Sequence, residues 1–172
     1  MKNNVLNITW CFLLLPLLSF GQTSQIPVEE EAVAMIKQIY TEVSGQSDEQ
    51  VDWDKVRSLF VKEAVIVLQT SQEGSTQMTL GEFIQDFKDF YASSAVGESG
   101  FKEEVLKVKS QVYKDMAFIG VVYEASILDS ERPPQKGIDF WLLQRMEPGW
   151  KIIAVTNQII LPGEEIPGMF DD

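Results

Sequence analysis

From Phe101 onward the chain runs as four long extended segments joined by short polar breaks, and this run constrains the fold more than any other feature. Phe101–Tyr113 alternates Leu106, Val108, Ser110 and Val112 against Lys107, Lys109 and Gln111, the pattern of a strand with one wet face. Lys114-Asp115 turns the chain. Residues 116–128 are apolar on both faces, with Phe118, Val122 and Ile127 in a run that also holds Tyr123 and Glu124. Residues 129–135, with Pro133-Pro134, form the next connection, and 137–146 and 149–161 pair across Glu147-Pro148-Gly149. Connections this short leave room only for an antiparallel meander.

The residues ahead of the meander follow a different period. Over 28–43, Val33, Ile36, Ile39, Tyr40 and Val43 recur at three- and four-residue steps, which predicts a helix with one buried stripe. A short helix over 52–60 follows, with Asp52 at its N-cap and Trp53, Val56, Leu59 and Phe60 turned inward. The β-branched run Ala64-Val65-Ile66-Val67-Leu68 predicts a strand buried on both faces, and residues 69–78 fit either a loop or a ragged hairpin. Thr79-Leu80-Gly81-Glu82 has the spacing of a capping box and opens a third helix. Its stripe of Leu80, Phe83, Ile84, Phe87, Phe90 and Tyr91 reads first as core.

These segments predict an α+β domain over residues 28–161: a curved antiparallel sheet with three N-terminal helices packed on its concave face, in the shape of a cone. Residues 162–172 hold two prolines and four acids and read as an acidic C-terminal tail. Residues 1–21 have Lys2, an apolar stretch around Leu13-Leu14-Leu15, and Ser19 and Gly21 three and one before Gln22, the pattern of a cleaved signal peptide. Residues 22–27 read as a flexible lead-in. The expected destination is secretion or the periplasm.

Cleavage would remove Cys11, the only cysteine, so the exported domain is expected to stand without disulfides. Loss of Lys2 would move the formal charge from −12 to −13. That charge repels phosphate backbones and anionic headgroups, so neither nucleic acid nor a membrane surface is an expected partner. The chain has no histidine. Its absence removes the usual proton shuttle, the commonest zinc ligand and every Ser-His or Cys-His dyad. No metal and no cofactor are expected.

Several short motifs, weak singly and telling in order, carry a resemblance. They are Leu59-Phe60 before the first strand, Phe90-Tyr91-Ala92-Ser93-Ser94 closing the third helix, Ala117-Phe118, Gly137-Ile138-Asp139-Phe140-Trp141, and Gly149-Trp150-Lys151-Ile152. Over residues 28–160 the chain resembles the nuclear transport factor 2-like superfamily, the cone fold that includes SnoaL-like cyclases and ketosteroid isomerases. In the isomerases a helix tyrosine and a protonated aspartic acid donate hydrogen bonds to a developing enolate while a second carboxylate moves the proton. The resemblance places Tyr40 at the tyrosine, Asp139 at the oxyanion acid and Tyr91 at a pocket tyrosine. It places Leu68 where the isomerase base stands, and leucine accepts no proton.

The candidate site residues are thus Tyr40, Tyr91, Asp139, Trp141 and Asn157 for ligand binding, with Glu124 as a substitute acid or base if it points into the cone. Asp139 is either a structural acid bonded to Tyr40 or Tyr91, or a ligand contact. Ile138, Phe140 and Leu142 fall on the outer face of their strand, where a second copy of the chain is the expected cover. The missing base favours a small-molecule-binding domain for an apolar ligand with one polar group. The alternatives are a histidine-free isomerase, cyclase or dehydratase acting on a hydrophobic carbonyl compound, and a structural dimer whose cone is filled by its own side chains.

Overall fold

A computed structural model describes residues 27–46, 51–71, 74–97 and 99–171. The expected signal peptide and nearly all of the lead-in lie outside the described residues. Six strands form one open, curved sheet: β1 (Phe60–Ser71), β2 (Gly74–Met78), β3 (Phe101–Tyr113), β4 (Met116–Ile127), β5 (Gln135–Met146) and β6 (Gly149–Ile160), in the order β2-β1-β6-β5-β4-β3. The last four make the expected antiparallel meander. Residues 69–78 are a hairpin: Val67 faces Gln77 and Leu68 faces Thr76.

The sheet is not wholly antiparallel, as the sequence had suggested. β1 runs parallel to β6, with Ile66 opposite Val155, and the Leu59 carbonyl accepts a hydrogen bond of 2.9 Å from the Ile152 amide. The meander leaves one edge of β6 open, and the helix before β1 delivers the chain there from the end at which β6 begins. β1 is also not buried on both faces: Ile66 is fully buried while Val65 is 44% exposed. Only one side of this strand meets the core.

Four α-helices occur among the described residues, against an expected three: α1 (Val28–Glu42), α2 (Trp53–Ser58), α3 (Leu80–Ala92) and the short α4 (Ser94–Gly97). The Asp52 side chain caps α2 by accepting from the Lys55 amide at 3.0 Å. α3 begins with the predicted capping box, Thr79 and Glu82 each receiving the other's backbone amide. Such a cap contributes about 1 kcal/mol and fixes where the helix starts. Ile36, Ile39 and Tyr40 of α1, Phe83 and Ile84 of α3, and Ile119, Val121, Trp141 and Leu143 of the sheet share one buried cluster.

β3 departs from simple alternation. Val105 pairs with Tyr123 but Lys107 pairs with Val122, so Leu106 is the extra residue of a β-bulge. The bulge resets parity: Phe101 and Val105 face the core before it, Val108 and Val112 after it. Leu106, expected inside, is therefore 44% exposed.

The C-terminal segment is likewise more than a tail. Its 3-10 turn, Gly168–Phe170, lays the buried Phe170 ring against the outer face of the sheet. Phe170 stacks on Phe140 with ring centroids 6.5 Å apart and 10° between planes. A Cβ added at Gly120 would come within 3.2 Å of the Phe170 ring, so glycine on β4 is what lets the ring settle. Lys107 of β3 pairs with Asp171 at 3.4 Å just beyond. Part of the apolar outer face is thus covered by the chain's own end. Met116, Phe118 and Leu142 beside it remain exposed.

Candidate ligand-binding cavity

Strand register assembles the site. Asp139 on β5 lies directly opposite Asn157 on β6, and opposed residues project to the same face. That face also carries Trp141, two residues along β5, and receives Tyr40 from α1. The Tyr40 hydroxyl donates to Asp139 Oδ2. The Trp141 indole Nε1 donates to the Tyr40 oxygen at 3.1 Å. Asn157 Nδ2 donates to Asp139 Oδ1 and to the Tyr123 oxygen of β4, each at 2.8 Å. Asp139 and Asn157 are the buried polar residues of the core among the described residues, and each covers the cost of the other's burial.

Tyr123 owes its position to a glycine. It lies opposite Gly137, and a Cβ there would fall 2.3 Å from the Tyr123 hydroxyl oxygen. No side chain other than glycine's leaves the ring where it is. The Tyr40 ring sits between its neighbours, with centroids 6.0 Å from both Tyr123 and Trp141.

Above this floor is a cavity of about 470 Å³. Such a volume suits a small organic molecule. Phe83, Phe87 and Phe90 of α3 roof it, and Ile39, Leu68 and Phe101 close the sides. Leu68, at the place of the isomerase base, contributes only apolar surface. The open space runs against a cone filled by its own aromatics.

Glu103 of β3 also lines the cavity, in the stretch whose parity the bulge resets. Burial, with the Asp139 charge adding, pushes its carboxyl up to about 8. Burial also raises Asp139, to about 6, although the hydrogen bonds from Tyr40 and Asn157 pull it back down. The hydroxyls of Tyr40 and Tyr123 are both held above the usual phenol value, first by burial and then by the Asp139 charge.

Of the residues expected at the site, Tyr40, Asp139, Trp141 and Asn157 come together. Glu124 does not. It lies on the outer face, one residue past Tyr123, where its carboxylate is 3.7 Å from Lys136. Tyr91 does not line the cavity either. Its hydroxyl donates to the Val43 carbonyl at 2.7 Å, tying the end of α3 to the end of α1. The sequence reading missed Glu103 and Tyr123. The signal for Glu103 was present, since the apolar positions of β3 switch from odd to even between Val105 and Val108.

Solved structures with this architecture are numerous. One from Pseudomonas putida KT2440, an NTF2-like protein of unknown function, superposes with a TM-score of 0.61 at 12% identity, covering 83% of this chain and 94% of the other. The fold is NTF2-like. A candidate ketosteroid isomerase from Parabacteroides distasonis has a TM-score of 0.57 at 13% identity, over 83% of this chain and 96% of its own. A candidate dehydratase of the NTF2-like family from Streptomyces avermitilis has 0.58 at 14%, over 77% and 95%. No protein-family model and no curated protein matches the sequence. At these identities the NTF2-like likeness is one of fold, and it agrees with the sequence resemblance.

Proposed function

We propose that this NTF2-like chain binds a small, mostly apolar molecule in the concave cavity, a polar group of the ligand meeting Glu103 and Tyr123. The observation that carries the reading is an unfilled space of about 470 Å³ over a polar floor that is satisfied within itself. Interiors are close-packed, and empty volume is destabilising, so a space of this size is retained against the drive to fill it. Asp139 is the anchor of the floor. Both of its oxygens accept hydrogen bonds from the protein, and it holds Tyr40 and Asn157 in place for the groups that face the ligand.

Native mass spectrometry of the chain, expressed with its leader in a bacterial host, tests this directly. The expected species starts at Gln22, in keeping with export, and carries a reproducible extra small-molecule mass. A protein that arrives empty and excludes apolar fluorescent dyes from the cavity would sink the reading. The same spectrum gives the subunit count. A homodimer through the exposed strip of Met116, Phe118 and Leu142 is part of the proposal.

A second reading has Glu103 in its favour. On it the protein is a histidine-free isomerase, cyclase or dehydratase acting on a hydrophobic carbonyl compound, with Glu103 moving the proton in place of a base at Leu68. The names of the Parabacteroides and Streptomyces structures accord with that chemistry. Deuterium uptake at the carbon next to the carbonyl of a bound ketone is the measurement. Turnover that Glu103→Gln abolishes, at little changed ketone affinity, would establish it; no uptake at any pH would leave binding alone.

A further inference from the structure

The charge and the walls of the cavity say more about its occupant than its volume does. Its ionisable lining groups are the acids Asp86, Glu103 and Asp139 and the phenols Tyr40 and Tyr123. No lysine or arginine lines it among the described residues. Asp139 is neutralised in hydrogen-bonding terms by Tyr40 and Asn157. Glu103 is not: its backbone amide is bonded to Ser44 Oγ at 2.9 Å, but its carboxyl has neither a donor nor a cation among the described residues. Its charge acts on Tyr40 and Tyr123, and the Asp139 charge acts on it, so these groups share one neighbourhood.

Ionising Glu103 beside Asp139 in apolar surroundings is costly, so the carboxyl keeps its proton until a cation takes that proton's place. A neutral ligand leaves most of that cost in place and an anionic one raises it. A cation removes it. Much of the rest of the wall is ring, and the faces of tyrosine, tryptophan and phenylalanine attract cations when water is excluded. We propose that the ligand is an organic ammonium ion, a protonated amine on an apolar body, whose nitrogen seats on Glu103 beside the Tyr40 and Tyr123 rings and whose body fills the space under Phe87 and Phe90. This rests on the binding reading above and specifies its ligand class.

Three probes of nearly one shape test it by calorimetry on the mature chain: phenethylamine, phenethyl alcohol and hydrocinnamate. The amine is expected to bind roughly tenfold or more tighter than the alcohol, as a charge-assisted contact in a partly desolvated site gives, with the carboxylate weakest. Its affinity rises between about pH 6 and about pH 8.5 as Glu103 yields its proton, and near neutrality binding releases a proton, so the measured heat tracks the buffer's ionisation heat. Glu103→Gln brings amine and alcohol to within about twofold, while Asp86→Asn keeps most of the preference.

An alcohol or carboxylate that binds as well as the amine overturns the ligand class and leaves the cavity a binding site. An amine preference that survives Glu103→Gln and disappears in Asp86→Asn overturns the assignment to Glu103. If none of the three binds while an apolar dye enters, the ligand class alone fails; if the dye is also excluded, both readings fail.

Discussion

The two faces of β4 and β5 are built from alternate residues of the same strands, yet one is partly packed over and the other is hollow. On the outer face Gly120 and Phe140 meet Phe170, a ring from the C-terminal segment, and Phe170 is buried there. On the inner face Tyr123, Asp139 and Trp141 meet Tyr40 and Asn157, and above them the packing stops. This chain can close an apolar surface with a single aromatic at the tip of a short turn. The hollow beside its two acids is therefore not a failure to find enough apolar side chains. One face is closed in part by the chain's own packing; the other is left open over a polar floor.

The largest test of that contrast is Asp139→Leu. It removes the acceptor for two buried donors, on Tyr40 and Asn157, and is expected to cost roughly 3–5 kcal/mol in urea unfolding. Phe170→Ala strikes the other face and is expected to cost about 2–3 kcal/mol, somewhat under the usual range because the chain end can detach locally. Cavity binding should survive it; loss of binding in the Phe170 variant would show that the two faces are coupled. Gly137→Ala lies between the faces in effect. Displacing the Tyr123 ring is expected to cost about 1–3 kcal/mol and to weaken ligand binding more than it lowers the melting temperature.

A separate effect is in pH. The folded protein holds protons on Asp139 and Glu103 more tightly than the unfolded chain, whose values are near 3.8 and 4.5. That contribution to stability is complete below those values and is lost as the pH rises through about 6 for Asp139 and about 8 for Glu103. The melting temperature of the unliganded protein should fall by several degrees from about pH 5 to about pH 8.5, and Glu103→Gln should flatten the upper part of that slope. A flat wild-type profile would mean that neither carboxyl is desolvated.

Much of the architecture was legible in the sequence, because periodicity and capping are local. The stripe from Leu80 to Tyr91, the Thr79–Glu82 box and the four-segment run beyond Phe101 each imply their element without reference to the rest of the chain. Tyr40, Asp139 and Trp141 were also within reach, since alternation along β5 puts the last two on one face. Failures came where one residue changes the meaning of its neighbours. Leu106 bulges, and every side chain before it points the opposite way from what alternation after it predicts, which is how Glu103 was overlooked. Glu124 reads as a buried acid in an apolar run until its parity is fixed by Tyr123. Phe170 is one ring among acids and prolines, and nothing local says that a glycine fifty residues earlier leaves room for it.

The parallel pairing of β1 with β6 has a consequence for how the chain folds. The Gln69 side chain accepts from the Ile159 amide across 90 residues, and the β1–β2 hairpin has no strand on its inner edge until β6 has formed. Contacts this distant in sequence are slow to close. Until they close, the phenylalanines of α3 that roof the cavity lack the β6 side of the sheet beneath them. The surface that lines the cavity in the finished protein is thus the surface most open to wrong partners in the unfinished one, and variants that delay β6 should aggregate through it.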